Sequence, residues 1–426
     1  MFPTPRLLRR VAFALAAAAL IAGAVVGLTP KAPTAASASS SGWVETWAAA
    51  MTKPTGIVAN RGNHGFQNET IRNVIFTSVG GQQVRIRLSN ADGDRPLHIG
   101  AASVGEAGSD GSLSGPAYPV TFDGRPSVTV PVGEEVVSDP VALAVAPLED
   151  LAVSVYVPQA TGPATFHFFG QQNNYLAAGD HVADGSGQAF PTRDTSWYFL
   201  DGVEVLGADK RAGTVVAFGD SITDGIGSTD GANDRWPDFL ARRLDAAYGD
   251  QAPGVLDEGI GGNRVLNPSA CYGPSGVARF NSDVLDQPGV KAVIVLEGIN
   301  DIGYSEDADV GCVAPTANVS AAQIIGGYQK MIAMAHAHGI KVIGATLTPF
   351  ESSWFWTVEG QAKWAAVNRW ILTSHAFDGV VDFARVVGVP GNPNYLDPAY
   401  DSGDGLHPSD AGYEAMADAI NLNLLR

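Results

Sequence analysis

Thr214-Val215-Val216-Ala217-Phe218-Gly219-Asp220-Ser221 is a short apolar run that stops abruptly on glycine and polar residues. A run of this length, bounded by turn signals, reads as a strand buried on both faces. The pattern recurs downstream at Gly254–Asp257, Ala292–Leu296, Val342–Thr346 and Val380–Phe383. Between these runs lie helical stretches at about Trp236–Tyr248, Ala321–His338, Val358–Thr373 and Asp410–Leu425, with a weaker one inside Gly276–Leu285. Alternating strand and helix predicts an α/β fold with a parallel sheet covered on both faces. Five such strands point to a flavodoxin-like doubly wound sheet and not to a barrel.

Upstream of Thr214 the rhythm is different. Gln83-Val84-Arg85-Ile86-Arg87-Leu88 alternates polar and apolar, the period of a half-buried strand. Ser127–Pro131, Val141–Ala146 and Leu151–Val157 repeat the pattern between Gly, Pro and Asp punctuation. Short strands without a convincing helix predict an all-β sandwich or jelly-roll domain over residues 42–207. Ala208–Gly213 reads as a linker into an α/β domain over residues 213–426. Two domains also suit a chain of 426 residues. The β-rich half is either a glycan-binding module or a wall whose loops, such as Phe166–Asn174, border the site of the other half.

The N-terminus reads as a targeting segment. Arg6, Arg9 and Arg10 precede an apolar run over Val11–Leu28, and Ala36-Ser37-Ala38 fits signal-peptidase cleavage, so residues 1–38 are expected to be a signal peptide. An uncleaved membrane anchor is the competing reading, and the general and twin-arginine export routes both stay open. Cleavage removes four basic residues and no acid, making the mature protein still more acidic than the −18 of the whole chain. That charge argues against nucleic acid and anionic membranes as partners. A secreted monomer is expected. Cys271 and Cys312 are the only cysteines, and an isolated pair in an exported chain is expected to form a disulfide. Closing that loop stabilises by about 4 kcal/mol in the chain-entropy model. Neither cysteine has the neighbours of a metal site, and no metal or other cofactor is expected.

In a doubly wound sheet, ligands bind outside the carboxyl ends of the strands. The chain places its chemistry there. The first strand exits into Gly219-Asp220-Ser221, the second into Gly259-Ile260-Gly261-Gly262-Asn263-Arg264, and the third into Glu297-Gly298-Ile299-Asn300-Asp301; Asp404 and His407 follow the fifth. A serine hydroxyl is a weak nucleophile until a base takes its proton and an acid orients that base. Ser221, His407 and Asp404 supply those three parts. The backbone N–H groups of Ser221 and Gly262 and the side-chain amide of Asn300 are candidate donors to an oxyanion. Asp220, Asp224 and Asp301 are read as carboxylates that organise loops, and Glu297 as a hydrogen-bonded scaffold residue at the end of the third strand. No Gly-x-Ser-x-Gly elbow is present, which argues against the α/β-hydrolase fold.

These four blocks, in this order, resemble the SGNH hydrolases, also called the GDSL esterase/lipase family. Gly219–Ile222 matches the block with the nucleophile, the glycine turn at Gly262 and Gly298–Asp301 match the oxyanion blocks, and Asp404–His407 matches the last. Gly261 stands where many relatives carry serine, so either Gly261 or Gly262 can present the oxyanion N–H. The resemblance covers about Thr214–Arg426 and implies a serine esterase working through an acyl-enzyme. With a β-sandwich ahead of it in a secreted chain, the protein further resembles bacterial carbohydrate esterases and arylesterases. That implies a small-molecule or polysaccharide ester as substrate, acetyl groups on polysaccharide first. A lipase, phospholipase or general arylesterase is the alternative, and a glycan-binding protein with little catalysis is a reading of another class. The loop after the fourth strand carries Trp354, Phe355 and Trp356, which are candidates to contact substrate.

Overall fold

The computed structural model describes residues 42–57, 60–209, 212–306 and 309–426. The expected signal peptide lies outside them, as do residues 210 and 211 of the expected linker.

Thr214–Gly219 is buried along its whole length, which is why no polar side chain interrupts it. It pairs in parallel with Gly254–Gly259 on one side and Val290–Leu296 on the other. Lys341–Ala345 and Gly379–Val381 extend the sheet, again in parallel. In chain order the strands lie 2-1-3-4-5, the doubly wound flavodoxin-like order. Helices Trp236–Tyr248 and Asp410–Asp418 pack together, and so do Ala321–Ala337 and Val358–Thr373. Caps set their starts: Ser320 and Gln323 form a capping box, and the Thr357 hydroxyl accepts the Gly360 N–H at 2.9 Å.

Three expected elements differ. The last helix stops at Asp418, and Leu422–Leu425 is a separate 3₁₀ turn capped by Asn421; Arg243 donates to the carbonyls of Ala417 and Ile420 and so satisfies the freed helix end. The fifth strand ends at Val381, because Asp382 caps a short helix, Phe383–Val387. Val141–Ala146, flanked by Pro140 and Pro147, makes only isolated bridges, Val141 with Val84 and Val145 with Gly81.

The N-terminal half is all-β and antiparallel. One sheet has four strands in the order Trp43–Ala48, Leu200–Leu206, Gln83–Ser89, Glu135–Val137. The other has six, with Glu69–Phe76 and Asp150–Val157 at its centre. Val84, Ile86 and Leu88 from the first sheet and Ile71, Val153 and Val155 from the second belong to one buried cluster. The alternation in Gln83–Leu88 therefore marks its core face. That cluster is continuous with the apolar residues of the parallel sheet. The outer strand of the parallel sheet, Gly254–Gly259, lies against Trp43–Ala48. Its Val255 N–H donates to Ser78 Oγ at 2.9 Å, so an otherwise open sheet edge is covered.

Candidate active site

Gly219 ends the first strand where a side chain would collide with Leu296 O and Thr223. Asp220 then caps a single helical turn, Ser221–Asp224, by accepting the Ile222 N–H at 3.1 Å, and Gly225 closes the turn in the left-handed region. Ser221 is thus held at the first position of a tight turn, 4% exposed. Its Oγ lies 2.9 Å from His407 Nε2. His407 Nδ1 lies 2.6 Å from Asp404 Oδ2, while Asp404 Oδ1 accepts the N–H groups of Leu406 at 2.9 Å and His407 at 2.8 Å. The three-residue spacing does this work: one carboxylate caps its own loop and holds the imidazole. Burial pushes the Asp404 carboxyl up, but the His407 hydrogen bond and charge, with the two N–H groups, outweigh it and bring it down to about 2.

The glycine turn after the second strand is fixed from several sides. Gly261 N–H donates to Asp224 Oδ2 at 3.0 Å. Asp301 accepts the N–H groups of Val265 at 2.7 Å and Leu266 at 3.1 Å. The Asn300 amide donates to Asn263 O at 2.9 Å, which leaves its second N–H for another acceptor. Gly261 N–H is engaged, whereas the N–H groups of Gly262 and Ser221 have no protein acceptor among the described residues. That favours Gly262 over Gly261 as the donor. Gly262 has φ +76° and lies under the Tyr272 ring, where a Cβ would come within 2.5 Å.

Two residues at this site carry no motif. Arg279, buried in the helix Gly276–Phe280, donates to Gly219 O at 2.7 Å, Asn263 Oδ1 at 2.9 Å and Glu258 O at 2.8 Å. It also meets Glu297 at 3.3 Å and Asp283 at 2.8 Å. One guanidinium therefore joins the exits of the first three strands. His167 comes from the β-rich half and reaches Asp224 Oδ1 at 3.0 Å. It falls in the stretch expected to be the loop Phe166–Asn174 but lies in a two-residue strand, Phe166–His167, paired with Trp197–Tyr198, and nothing local in the sequence distinguishes it from a core histidine. The three carboxylates expected to organise loops and the expected scaffold residue Glu297 are all buried. Burial pushes Asp220 up to about 7 and Asp301 up to about 6, against the N–H groups each accepts; Glu297 is pushed well up by burial, against Arg279.

Cys271 and Cys312 form a disulfide, tying the loop after the second strand to the one after the third. Beside it, Tyr272 stacks on Tyr304 at 6.2 Å between centroids, Tyr304 meets Phe355 edge-on at 4.9 Å, and Phe355 meets Trp354 at 5.0 Å. This aromatic row runs from Gly262 to the loop after the fourth strand, which packs on Gly405 through Ser352. Of the three expected contact residues, Trp354 is 67% exposed and Trp356 36%, but Phe355 is 6% exposed. Phe355 packs on Gly303 and Tyr304 and is the buried link of the row.

Residues 217–415 match the sequence model of the GDSL-like lipase/acylhydrolase family. No match was found among curated proteins. Among solved structures, the chain is similar to a putative acylhydrolase from Bacteroides fragilis (24% identity, 51% of this chain and 91% of that one, TM-score 0.38). It is also similar to a GDSL-like lipase from Bacteroides thetaiotaomicron (22%, 50% and 89%, 0.37). A third is an acetylxylan esterase from Geobacillus stearothermophilus (20%, 51% and 95%, 0.38). Over residues 217–415 the chain thus carries a GDSL-like lipase/acylhydrolase domain, and the protein is a carboxylic ester hydrolase.

Proposed function

We propose that this protein is a secreted serine esterase that cleaves short acyl groups, acetyl above all, from polysaccharide through an acyl-enzyme on Ser221. The observation that carries the mechanism is the hydrogen-bonded chain from Ser221 Oγ through His407 to Asp404. Ser221 Oγ attacks the ester carbonyl as His407 Nε2 takes its proton. Asp404 fixes the imidazole tautomer and stabilises the imidazolium. The tetrahedral oxyanion receives the N–H groups of Ser221 and Gly262 and the Asn300 amide. Collapse expels the alcohol, which leaves with the proton held by His407. Water then repeats the sequence on the acyl-enzyme, releasing the carboxylic acid and restoring Ser221.

The aromatic row supports the carbohydrate part of the reading, because exposed aromatic faces beside a polar site suit sugar rings. Exposed Trp354 lies at the end of that row. The disulfide supports an oxidising compartment. A second reading, a general arylesterase or lipase, is favoured by the exposure of Trp356 and Val358 next to Trp354.

The test is a series of p-nitrophenyl acyl esters alongside acetylated xylan, with wild type and Ser221→Ala. Acetyl preference and acetate release from xylan are expected, and Ser221→Ala should lose nearly all turnover and fluorophosphonate labelling. More than a few per cent of wild-type turnover in Ser221→Ala would sink the mechanism. Rates that rise with acyl length would favour the lipase reading. Xylan binding without turnover would favour a glycan-binding protein.

A further inference from the structure

His167 stands outside the part of the chain that matches the family, yet it touches the turn that carries Ser221. Its Nε2 lies 3.0 Å from Asp224 Oδ1 and its Nδ1 lies 2.8 Å from Ala50 O. Both neighbours accept, so the ring donates at both nitrogens and is an imidazolium. The other Asp224 oxygen accepts the Gly261 N–H at 3.0 Å. His167 and Asp224 are both nearly inaccessible to water, with side chains 4% and 2% exposed. In such a place the charge-assisted bonds are stiff, because no solvent competes for them.

We propose that His167 is a positioning residue for the acyl-transfer site: through Asp224 it holds Gly261 and thereby aims the adjacent Gly262 N–H at the oxyanion. The proposal rests on the esterase reading above and assigns the β-rich half a part in catalysis, beyond covering the sheet edge. Asp224 is one point where the two halves meet: it is the last residue of the Ser221 turn and also grips the glycine turn. Loss of the imidazolium leaves Asp224 free to reorient, and the peptide joining Gly261 to Gly262 turns with it.

The charges around His167 define its pH dependence. Asp224 faces it from the Ser221 turn, and Asp257 from the second parallel strand. Arg235 lies between Asp257 at 3.8 Å and Asp238 at 2.7 Å, and the Trp197 ring packs at 5.4 Å. Burial drives the His167 imidazole down, but Asp224, the Ala50 carbonyl and Asp257 outweigh it and hold it above the ordinary value. The contribution of the pair is therefore complete below about pH 6.5, the ordinary imidazole value. It is lost as pH rises through the higher value His167 has in the fold.

The test compares full-length wild type and His167→Gln, which keeps a hydrogen-bond donor but cannot carry the charge. The readouts are kcat and KM on p-nitrophenyl acetate, the pH profile of kcat, and fluorophosphonate labelling to count intact sites. An oxyanion donor acts in the transition state and a lost one costs about 10²–10³ in turnover. Misaiming one is expected to lower kcat per labelled site by about tenfold or more, with KM within about twofold. The alkaline fall of kcat in wild type should vanish in the variant. An unchanged kcat per labelled site, or an identical alkaline limb in both proteins, would overturn the proposal even if fewer molecules fold. Turnover surviving in Ser221→Ala would instead overturn the esterase mechanism beneath it.

Discussion

Gly262→Ala is the most direct probe of the oxyanion donors, with Gly261→Ala as its partner. Alanine at a φ of +76° enters the left-handed region at about 1–2 kcal/mol. The new Cβ would sit 2.5–2.7 Å from three ring atoms of Tyr272, against an ordinary contact of about 3.5–4.0 Å. Relief needs a shift of about 1 Å. The ring has little room to retreat: it stacks on Tyr304, the Tyr272 carbonyl accepts from Asn263 at 2.6 Å, and Cys271 beside it is in the disulfide. Overpacking of that kind adds about 1–3 kcal/mol, so the variant is destabilised by about 2–5 kcal/mol if the loop holds its place. From Asn263 onward Arg279 and Asp301 hold the loop, so whatever yields is the Gly261–Gly262 peptide. Moving that N–H costs about 10²–10³ in kcat. Gly261→Ala has no left-handed φ to adopt and meets only Ile226 Cδ1 at 3.1 Å and Asp224 Oδ2 at 3.5 Å, so a much smaller loss is expected. Thermal melts and kcat per fluorophosphonate-labelled serine give both quantities. Wild-type kcat in Gly262→Ala, or a larger loss in Gly261→Ala, refutes the assignment of Gly262.

Asp404→Asn should lower kcat by about 10⁴, the scale of losing the carboxylate that fixes the imidazole tautomer, and melt below wild type at neutral pH because the ionised group's bonds are weakened; a loss in kcat under tenfold contradicts the role. Because the Asp404 carboxyl is held down to about 2, its contribution to stability is present above its ordinary value near 4 and is lost only as pH falls through about 2. Between pH 4 and 6 the melting temperatures of Asp404→Asn and wild type should therefore change in parallel, their difference shrinking only below about pH 4. Arg279→Met removes a buried guanidinium and leaves Glu297 and three oxygen acceptors without it. A destabilisation of about 3–5 kcal/mol by chemical denaturation is expected, and one below about 1 kcal/mol would show that Arg279 does not hold the loops.

The doubly wound parallel sheet and the loops at its strand exits were legible because they follow from local patterns. A strand buried on both faces must be apolar throughout, as Thr214–Gly219 is, and its exit must turn at once, which puts Gly219 and Ser221 where they are. The Asp404–His407 pair was legible for a similar reason: three residues of chain suffice to let one carboxylate cap the loop and hold the ring. Helix ends were less so. Whether Asp410–Asp418 continues depends on Arg243, more than 170 residues away, reaching its last carbonyls.

The amino-acid sequence by itself thus determined the doubly wound sheet, the β-rich half before it and the polar loops at the strand exits, since burial period and turn residues are properties of short segments. Only the tertiary structure decided that Phe355 is buried within the aromatic row while Trp354 faces water. It alone also decided that Gly261 is tied to Asp224, and that Arg279 and His167 reach the turns around Ser221 and Gly262. A single buried polar side chain has no period to betray it. Its partners are selected by the packing of distant segments, where low polarity makes each unmade hydrogen bond costly and each made one firm.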